Sequence, residues 1–289
     1  MGSYSIKELE TLSGIKAHTI RIWEKRHRII IPKRTPTNIR YYSDNDLKKI
    51  INVSLLNSEG VKISRIAGMT EEEINTKIVE LTSNHQDPNL FIDQLVVEMI
   101  DMEEEQFEKL LSHLIMKFGF EKTIVEIVYP FLEKIGVLWQ TGNITPAQEH
   151  FISNLIRQKI IVAIDSLPFP KKDATKVVLF LPENELHEIG LLFYHYLVRN
   201  WGFKVYYLGQ HLPYDDLKKV CKIHQPQFII TSLTAPQRPQ AALEYLTRLI
   251  KDFPTATILA SGKLPELITS KHENLKHFNS IPVLRQVLV

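Results

Sequence analysis

The C-terminal part of the chain, residues 175–289, alternates short apolar runs with segments of helical periodicity, and this alternation restricts the possible folds strongly. Such runs are typical of buried parallel strands, because helices cover a parallel sheet on both faces. The pattern predicts strands at 176–181, 204–208, 227–232 and 256–260. It predicts helices at 188–201, 214–223 and 238–251, and a last helix near 264–269 or 282–288. We therefore expect an α/β domain with a parallel sheet.

A short polar motif, ELHEIG at residues 185–190, follows the first of these strands. In open α/β sheets, ligands bind outside the carboxyl ends of the strands, so His187 is well placed to reach a ligand. A neutral imidazole binds a transition metal through one ring nitrogen while an acceptor holds the other. Glu185 can supply that acceptor. An isolated loop histidine is more often simply exposed to solvent, so the motif needs support from the rest of the chain.

The length and the cysteine content set outer limits. A chain of 289 residues indicates two or three domains rather than one core. The single cysteine, Cys221, excludes a disulfide framework and a multi-cysteine metal site, and it fits a reducing cytoplasm. We find no signal-peptide pattern and no apolar run near the roughly 20 residues that cross a bilayer. We expect a cytoplasmic protein with no membrane partner.

Charge is unevenly distributed along the chain. Residues 1–70 contain 13 Lys and Arg and 6 Asp and Glu, which gives a net charge of +7. Since the whole chain has a net charge of +2, the remainder is at −5. A basic N-terminal segment on an acidic body suggests a polyanionic partner, although a solvated basic surface gives the same count.

The N-terminal segment shows the pattern of a winged helix-turn-helix. Ser5 and Glu8 fit a capping box, and Gly14 ends the short helix that follows. A second helix over 16–27 completes a helix-turn-helix, and the basic stretch 32–42 predicts a β-hairpin wing. Side chains suited to phosphates and base edges lie on the second helix: His18, Thr19, Arg21, Lys25 and Arg26.

This order of elements over residues 4–68 resembles the MerR family of transcription regulators. The resemblance is carried by Ile20, Arg21, Trp23, Glu24, Pro32, Arg34, Arg40, Tyr41 and Tyr42. It implies a domain that binds double-stranded DNA as a dimer on paired half-sites. The implied DNA-binding residues are His18, Thr19, Arg21, Lys25, Arg34, Arg40 and Tyr41. We expect Trp23 to pack between helices. The chain lacks the cysteines of MerR metal sensors and a sustained heptad repeat.

The middle of the chain, residues 71–165, shows four or five helical patterns with short connections, which predicts a helix bundle. Within it, Trp139 is followed by nine residues and then by Glu149 and His150. A core tryptophan and a glutamate near a helix N-terminus would explain these residues without a ligand. The spacing nevertheless resembles the Trp-x9-Glu-His motif of the CarH/LitR-type photoreceptor regulators, whose bundle covers the upper side of a corrin ring.

That resemblance implies that Trp139 packs on the adenosyl group of adenosylcobalamin and that Glu149 and His150 line its pocket. The histidine that commonly follows the motif tryptophan is replaced here by Gln140. The 185–190 motif in turn resembles the Asp-x-His-x-x-Gly motif of flavodoxin-like cobalamin-binding domains, with glutamate in place of aspartate.

The second resemblance implies that His187 is the lower cobalt ligand and that Glu185 orients its ring. Further implied cofactor-binding residues are Gly190, Ser232, Leu233 and Gly262. Ser232 and Leu233 belong to a strand-end run at 231–234. Gly262 is the single glycine where such domains usually have two.

We therefore predict a multidomain α and α/β protein. It has a winged helix-turn-helix (1–72), a four-helix bundle covering the cofactor (73–170) and a flavodoxin-like cobalamin-binding domain (171–289). The expected function is a DNA-binding transcription regulator, a homo-oligomeric repressor (dimer or tetramer) controlled by adenosylcobalamin and light, and not an enzyme. Two alternatives stay open. One is a cofactor-independent or light-insensitive repressor that uses the last domain for oligomer contacts, and the other is a cobalamin-dependent enzyme or methyl carrier.

Overall fold

The computed structural model describes residues 2–84, 87–140, 142–234, 239–262 and 273–289. The chain divides into two compact units, Met1–Leu155 and Ile156–Val289. Helices dominate the first unit, and a parallel sheet organises the second. Within the described ranges, none of the helices combines the length and the apolar character that a bilayer-spanning segment needs.

The first unit begins with the predicted winged helix-turn-helix. Its elements are α1 (Ile6–Ser13), α2 (Ala17–His27), β1 (Lys33–Arg34), β2 (Arg40–Tyr41), α3 (Asp44–Ser58) and α4 (Ile63–Ile66). Capping boxes at Ser5 and Ser43 begin α1 and α3. Strands β1 and β2 pair in antiparallel fashion, so the predicted wing is confirmed. Trp23 is buried, in agreement with the expected core role.

The helix bundle follows in the same unit. Its elements are α5 (Glu71–Asn84), α6 (Pro88–Asp101), α7 (Glu104–Phe118), α8 (Phe120–Thr123), a π-helical turn (Ile124–Val128), α9 (Tyr129–Gln140) and α10 (Pro146–Asp165). The spacing of apolar residues over 122–139 predicts one continuous helix, but a π-helical turn interrupts it, which periodicity does not reveal. A capping box at Thr145 and Gln148 begins α10, and the boundary between the two units falls inside this helix.

The second unit is a five-stranded parallel sheet with the order β4-β3-β5-β6-β7. Its elements are β3 (Lys176–Phe180), α11 (Glu188–Asn200), β4 (Lys204–Tyr207), α12 (Tyr214–His224), β5 (Phe228–Leu233), α13 (Pro239–Asp252), β6 (Thr257–Gly262), β7 (Leu275–His277) and α14 (Ile281–Leu288). Successive side chains of β3 point to opposite faces, so Val178 and Phe180 join one apolar cluster while Val177 and Leu179 join the other.

One feature of this unit differs from the sequence-based expectation. The sheet has a fifth strand, β7, whose three residues form no apolar run. The last helix is α14, which confirms the alternative predicted at 282–288. The alternative helix at 264–269 lies outside the described residues. The strand order reverses between β3 and β5, because the chain passes from β3 to β4 on one side and then to β5 on the other. Ligands bind at such a switch point, at the carboxyl ends of the strands.

Candidate functional site

His187 lies in the loop that leaves β3 at the switch point, immediately before α11. Its ring atom Nδ1 lies 2.5 Å from Oε1 of Glu185, and its backbone N–H donates to the same oxygen at 3.1 Å. Since a carboxylate only accepts, the proton of the neutral ring resides on Nδ1. The side chain of His187 is 62% exposed while that of Glu185 is 8% exposed. A metal would therefore be bound through Nε2 of His187.

The carboxylate of Glu185 also connects the two strands that flank the switch point. Its Oε2 accepts a hydrogen bond of 2.9 Å from the backbone N–H of Thr234, just beyond β5. Burial raises the pKa of Glu185, but hydrogen bonds from the His187 side chain, the His187 backbone and the Thr234 backbone outweigh burial and lower it to about 2. Glu185 is thus ionised at neutral pH and holds the ring in one orientation.

This pKa predicts a pH dependence of stability. The folded-state pKa of about 2 lies below the ordinary value of 4.5, so ionised Glu185 stabilises the folded state above pH 4.5. That stabilisation is lost as the pH falls from 4.5 towards 2. We expect Glu185→Gln to lower the thermal unfolding midpoint near neutral pH. The difference from the parent should shrink on acidification, as measured by circular dichroism.

Glu133→Gln, at an exposed position on α9, is the matched control. It should leave the midpoint unchanged near neutral pH. A difference between parent and Glu185→Gln that stays constant or grows on acidification would contradict the assignment of an ionised, hydrogen-bonded carboxylate.

The loop that carries His187 is braced by the loop that follows β4. The backbone N–H of Asn184 donates to Nδ1 of His211 at 3.0 Å, and Leu181 N–H donates to the carbonyl of Gly209 at 2.8 Å. Asn184 and His211 both have left-handed backbone conformations, with φ of 67° and 55°. No local sequence pattern marks His211, because its contact depends on two loops meeting.

A second cluster surrounds Glu188, the residue after His187. Its Oε1 accepts a hydrogen bond of 2.8 Å from the Tyr207 hydroxyl at the end of β4, and its Oε2 forms an ion pair of 2.9 Å with Nε of Arg157 on α10. Glu188 is buried, so both partners compensate a desolvated charge. This cluster was also missed, because only Glu188 belongs to the sequence motif.

The carboxyl ends of β5 and β6 contain the other predicted residues. Ser232 lies beside Ser261 in register, and both are buried. Leu233 lies beside Gly262, which has φ of 98°. A Cβ atom at Gly262 would stand 2.3 Å from the Leu233 carbonyl oxygen, so a larger residue is excluded. Thr231 Oγ1 is buried without a hydrogen-bond partner among the described residues.

The bundle motif lies in the first unit. Trp139, in the last turn of α9, is 57% exposed, so the core-packing interpretation is wrong. Glu149 lies in the first turn of α10, and His150 follows it. Oε1 of Glu149 accepts from the Ser153 hydroxyl at 2.6 Å, while Oε2 lies 3.5 Å from Nε2 of His150. These three residues therefore flank the connection between α9 and α10 and present aromatic, acidic and imidazole groups there.

The predicted DNA-binding residues are accessible on α2 and the wing. His18, Arg21 and Lys25 are exposed on α2, with Thr19 half-buried. Arg34 is exposed on the wing, and half-buried Arg40 and Tyr41 follow in β2. Glu24 fastens the wing to α2: it accepts from the Tyr42 hydroxyl at 2.5 Å and lies 3.6 Å from Nε of Arg40. Arg40 is thus partly engaged in holding the wing.

These groups fit a cobalt-containing corrinoid. An imidazole backed by a buried carboxylate is a suitable protein ligand for cobalt. Apart from Gly190, its two chain neighbours and the nearby backbone of its own helix, no heavy atom of the described residues lies within 4 Å of where a Cβ atom would stand at Gly190, which leaves room beside the motif. The buried hydroxyls at the ends of β5 and β6 offer donors and acceptors to a polar ligand.

Comparisons with known proteins agree with this reading. Residues 4–73 match the model of the MerR HTH family regulatory protein, and residues 91–163 match the model of the B12 binding domain. The chain is 27% identical to the HTH-type transcriptional repressor CarH of Myxococcus xanthus, covering 87% of this chain and 86% of the relative. It is 25% identical to the repressor CarA of the same organism, covering 86% and 84%.

A solved structure, the monomethylamine corrinoid protein of Methanosarcina barkeri, is similar with a TM-score of 0.55. The alignment covers 70% of this chain and 99% of that protein at 14% identity, which supports the fold alone. The two family matches bear on function, since they join a DNA-binding module to a cofactor-binding one in a single chain. The chain is therefore a DNA-binding transcription regulator in which one segment matches the MerR HTH family and another matches the B12 binding domain.

Proposed function

We propose that this regulator is a repressor whose DNA binding is controlled by adenosylcobalamin and by light. The observation that supports the proposal most is the Glu185–His187 pair at the switch point, in a chain that also carries a MerR-type module. Similarity to CarH and CarA, which are both transcriptional repressors, supports repression rather than activation. When bound, the cofactor supplies cobalt and a light-labile cobalt–carbon bond.

The residues of this chain have distinct roles in the proposal. His187 binds cobalt through Nε2, and Glu185 keeps the proton on Nδ1 so that Nε2 stays a ligand. The exposed face of Trp139 contacts the adenosyl group, together with Glu149 and His150. The hydroxyls of Ser232 and its neighbours hydrogen-bond to the nucleotide tail.

The proposal includes a homo-oligomer, a dimer or tetramer, that engages paired half-sites in the cytoplasm. A cofactor that prefers one conformation of the chain shifts the population towards it, and the DNA affinity then follows the cofactor. A corrinoid methyl carrier or a cobalamin-dependent enzyme is a weaker reading. The likeness to a corrinoid protein concerns the fold alone, and neither function needs a DNA-binding module.

The DNA-binding part of the proposal gives a direct test. We expect the parent, loaded with adenosylcobalamin in darkness, to bind a duplex selected from a random pool more tightly than the cofactor-free chain. Arg21→Ala should weaken binding by about 5- to 100-fold, because the exposed guanidinium on α2 is suited to base edges and phosphates. Titrations by fluorescence anisotropy at several salt concentrations measure both effects.

Lys109→Ala, an exposed lysine on α7 that pairs with Glu105, is the control and should bind like the parent. Equal DNA affinity with and without cobalamin would favour a cofactor-independent repressor. Cobalamin binding without DNA binding to any selected duplex would favour the carrier or the enzyme.

A further inference from the structure

A buried polar contact joins the connection between α9 and α10 to the first helix of the DNA-binding domain. Asn143, which is 6% exposed, donates from Nδ2 to Oε1 of Glu8 at 2.5 Å. The Tyr4 hydroxyl lies 3.4 Å from the Asn143 carbonyl oxygen and donates to Asp44 at 2.9 Å. Oε2 of Glu8 simultaneously accepts from the backbone N–H of Ser5 at 2.5 Å. We name these residues, Tyr4, Glu8, Asp44 and Asn143, the α1 joint.

The bundle side of the α1 joint lies between the motif residues Trp139 and Glu149 in the chain. Gly142 N–H donates to the Trp139 carbonyl, and Asn143 N–H donates to the Leu138 carbonyl, both at 3.0 Å. These bonds end α9, while the Thr145 capping box begins α10. Because the backbone of Asn143 is hydrogen-bonded to the last turn of α9, a displacement of that helix end moves Asn143.

The DNA-binding side of the α1 joint is equally constrained. Glu8 is the third residue of α1 and closes its capping box, so Asn143 is bonded to the first turn of that helix. Helix α1 packs against α2 and α3. Helix α2 carries the exposed residues Arg21 and Lys25. The α1 joint is therefore connected to α2, the helix proposed to contact DNA, through the packing of α1 against α2.

We propose that the α1 joint transmits to the DNA-binding domain whether or not a cofactor covers Trp139 and Glu149. This inference rests on the proposed function, because it supplies the route by which the cofactor controls DNA affinity. A cofactor bound against Trp139 and Glu149 holds the ends of α9 and α10 in place. The Asn143–Glu8 bond then holds the DNA-binding domain in the conformation that binds DNA. A contact couples two sites only if it differs between the two states of the protein. We expect the Asn143–Glu8 hydrogen bond to be held when the cofactor is bound and broken when it is absent.

The polarity of the bond allows a specific test. Asn143→Asp places a second carboxylate against Glu8, and like charges at hydrogen-bond distance repel each other. We expect the dark, adenosylcobalamin-loaded variant to bind the selected duplex about tenfold more weakly. Cobalamin stoichiometry and absorption spectrum should match the parent. Hydrogen exchange in the first turn of α1 should accelerate.

Glu8→Gln should restore both DNA affinity and exchange protection in the Asn143→Asp background. An amide at position 8 can accept from Ser5 N–H, as a capping box allows, and donate to the new carboxylate at position 143. Asn75→Asp, at an exposed asparagine on α5, controls for the added charge and should behave like the parent.

The outcomes separate this inference from the proposed function. A folded Asn143→Asp variant whose DNA affinity responds to adenosylcobalamin like the parent overturns the α1 joint, while the proposed function stands. Failure of Glu8→Gln to restore binding in a folded, cobalamin-loaded double variant also overturns it. A parent whose DNA affinity ignores adenosylcobalamin defeats the proposed function, and with it the inference.

Discussion

Replacing His187 with alanine is expected to reduce the affinity of the chain for adenosylcobalamin by about a hundredfold or more. Loss of a residue that only orients a metal ligand typically costs about 10- to 100-fold, and loss of the ligand itself should cost at least as much. The fold should survive, because the side chain is 62% exposed and lies in a loop. Equilibrium dialysis in darkness measures the affinity, and the absorption spectrum reports whether imidazole is bound to cobalt.

Two further variants test whether the loss of cobalamin affinity is specific to His187. His113→Ala, which removes an exposed histidine from α7, should bind cobalamin like the parent. Glu185→Gln should show an intermediate loss, because the ring keeps its nitrogen but loses the charged acceptor at Nδ1. Should His187→Ala retain as much cobalamin as the parent, with the same spectrum, the cobalt ligand is another residue.

Much of the fold could be predicted because its signals are local. The capping boxes at Ser5, Ser43 and Thr145 and the apolar runs of β3 and β5 each lie within a few residues, and all appear in the structure. The strand β7 could not be predicted in this way. It has three residues and is defined by its pairing with β6 rather than by its own composition.

The site shows the same difference between contacts that follow from local sequence and contacts that depend on distant parts of the chain. Glu185 and His187 are neighbours in sequence, so their hydrogen bond followed from the motif. The bond from Thr234 to Glu185 spans 49 positions and depends on the adjacency of β3 and β5. The contacts of His211 with Asn184 and of Arg157 with Glu188 likewise arise where separate elements meet.

Trp139 shows where periodicity alone is ambiguous. A tryptophan at the end of an apolar helix fits a bundle core as well as a ligand surface, and only its 57% exposure separates the two. An exposed tryptophan carries a large apolar area that a ligand can cover. This exposure supports the proposed contact with the adenosyl group, and it makes the light response a test of the same residues.

Green light is expected to lower the DNA affinity of the adenosylcobalamin-loaded chain by about 5- to 150-fold, the usual range for coupling between two sites. Loss of the adenosyl group removes a contact from Trp139 and Glu149, so the ends of α9 and α10 are no longer held. Anisotropy titration with the selected duplex measures affinity, and light scattering measures mass, before and after illumination. A smaller mass after light would link the response to the homo-oligomer.

The residue after Trp139 should decide what happens to the cofactor afterwards. A glutamine amide at position 140 is a poor cobalt ligand compared with an imidazole nitrogen, so the illuminated parent should hold its cobalamin weakly and release part of it. Gln140→His should retain the cobalamin and show a spectrum with two bound imidazoles. Val137→His adds a histidine at an exposed position on α9 and should behave like the parent. A stable two-imidazole spectrum in the illuminated parent would show that another histidine replaces the adenosyl group. The first candidate would be His150, the histidine of the bundle motif. Unchanged DNA affinity and mass after complete photolysis would instead mean that the chain senses cobalamin and not light.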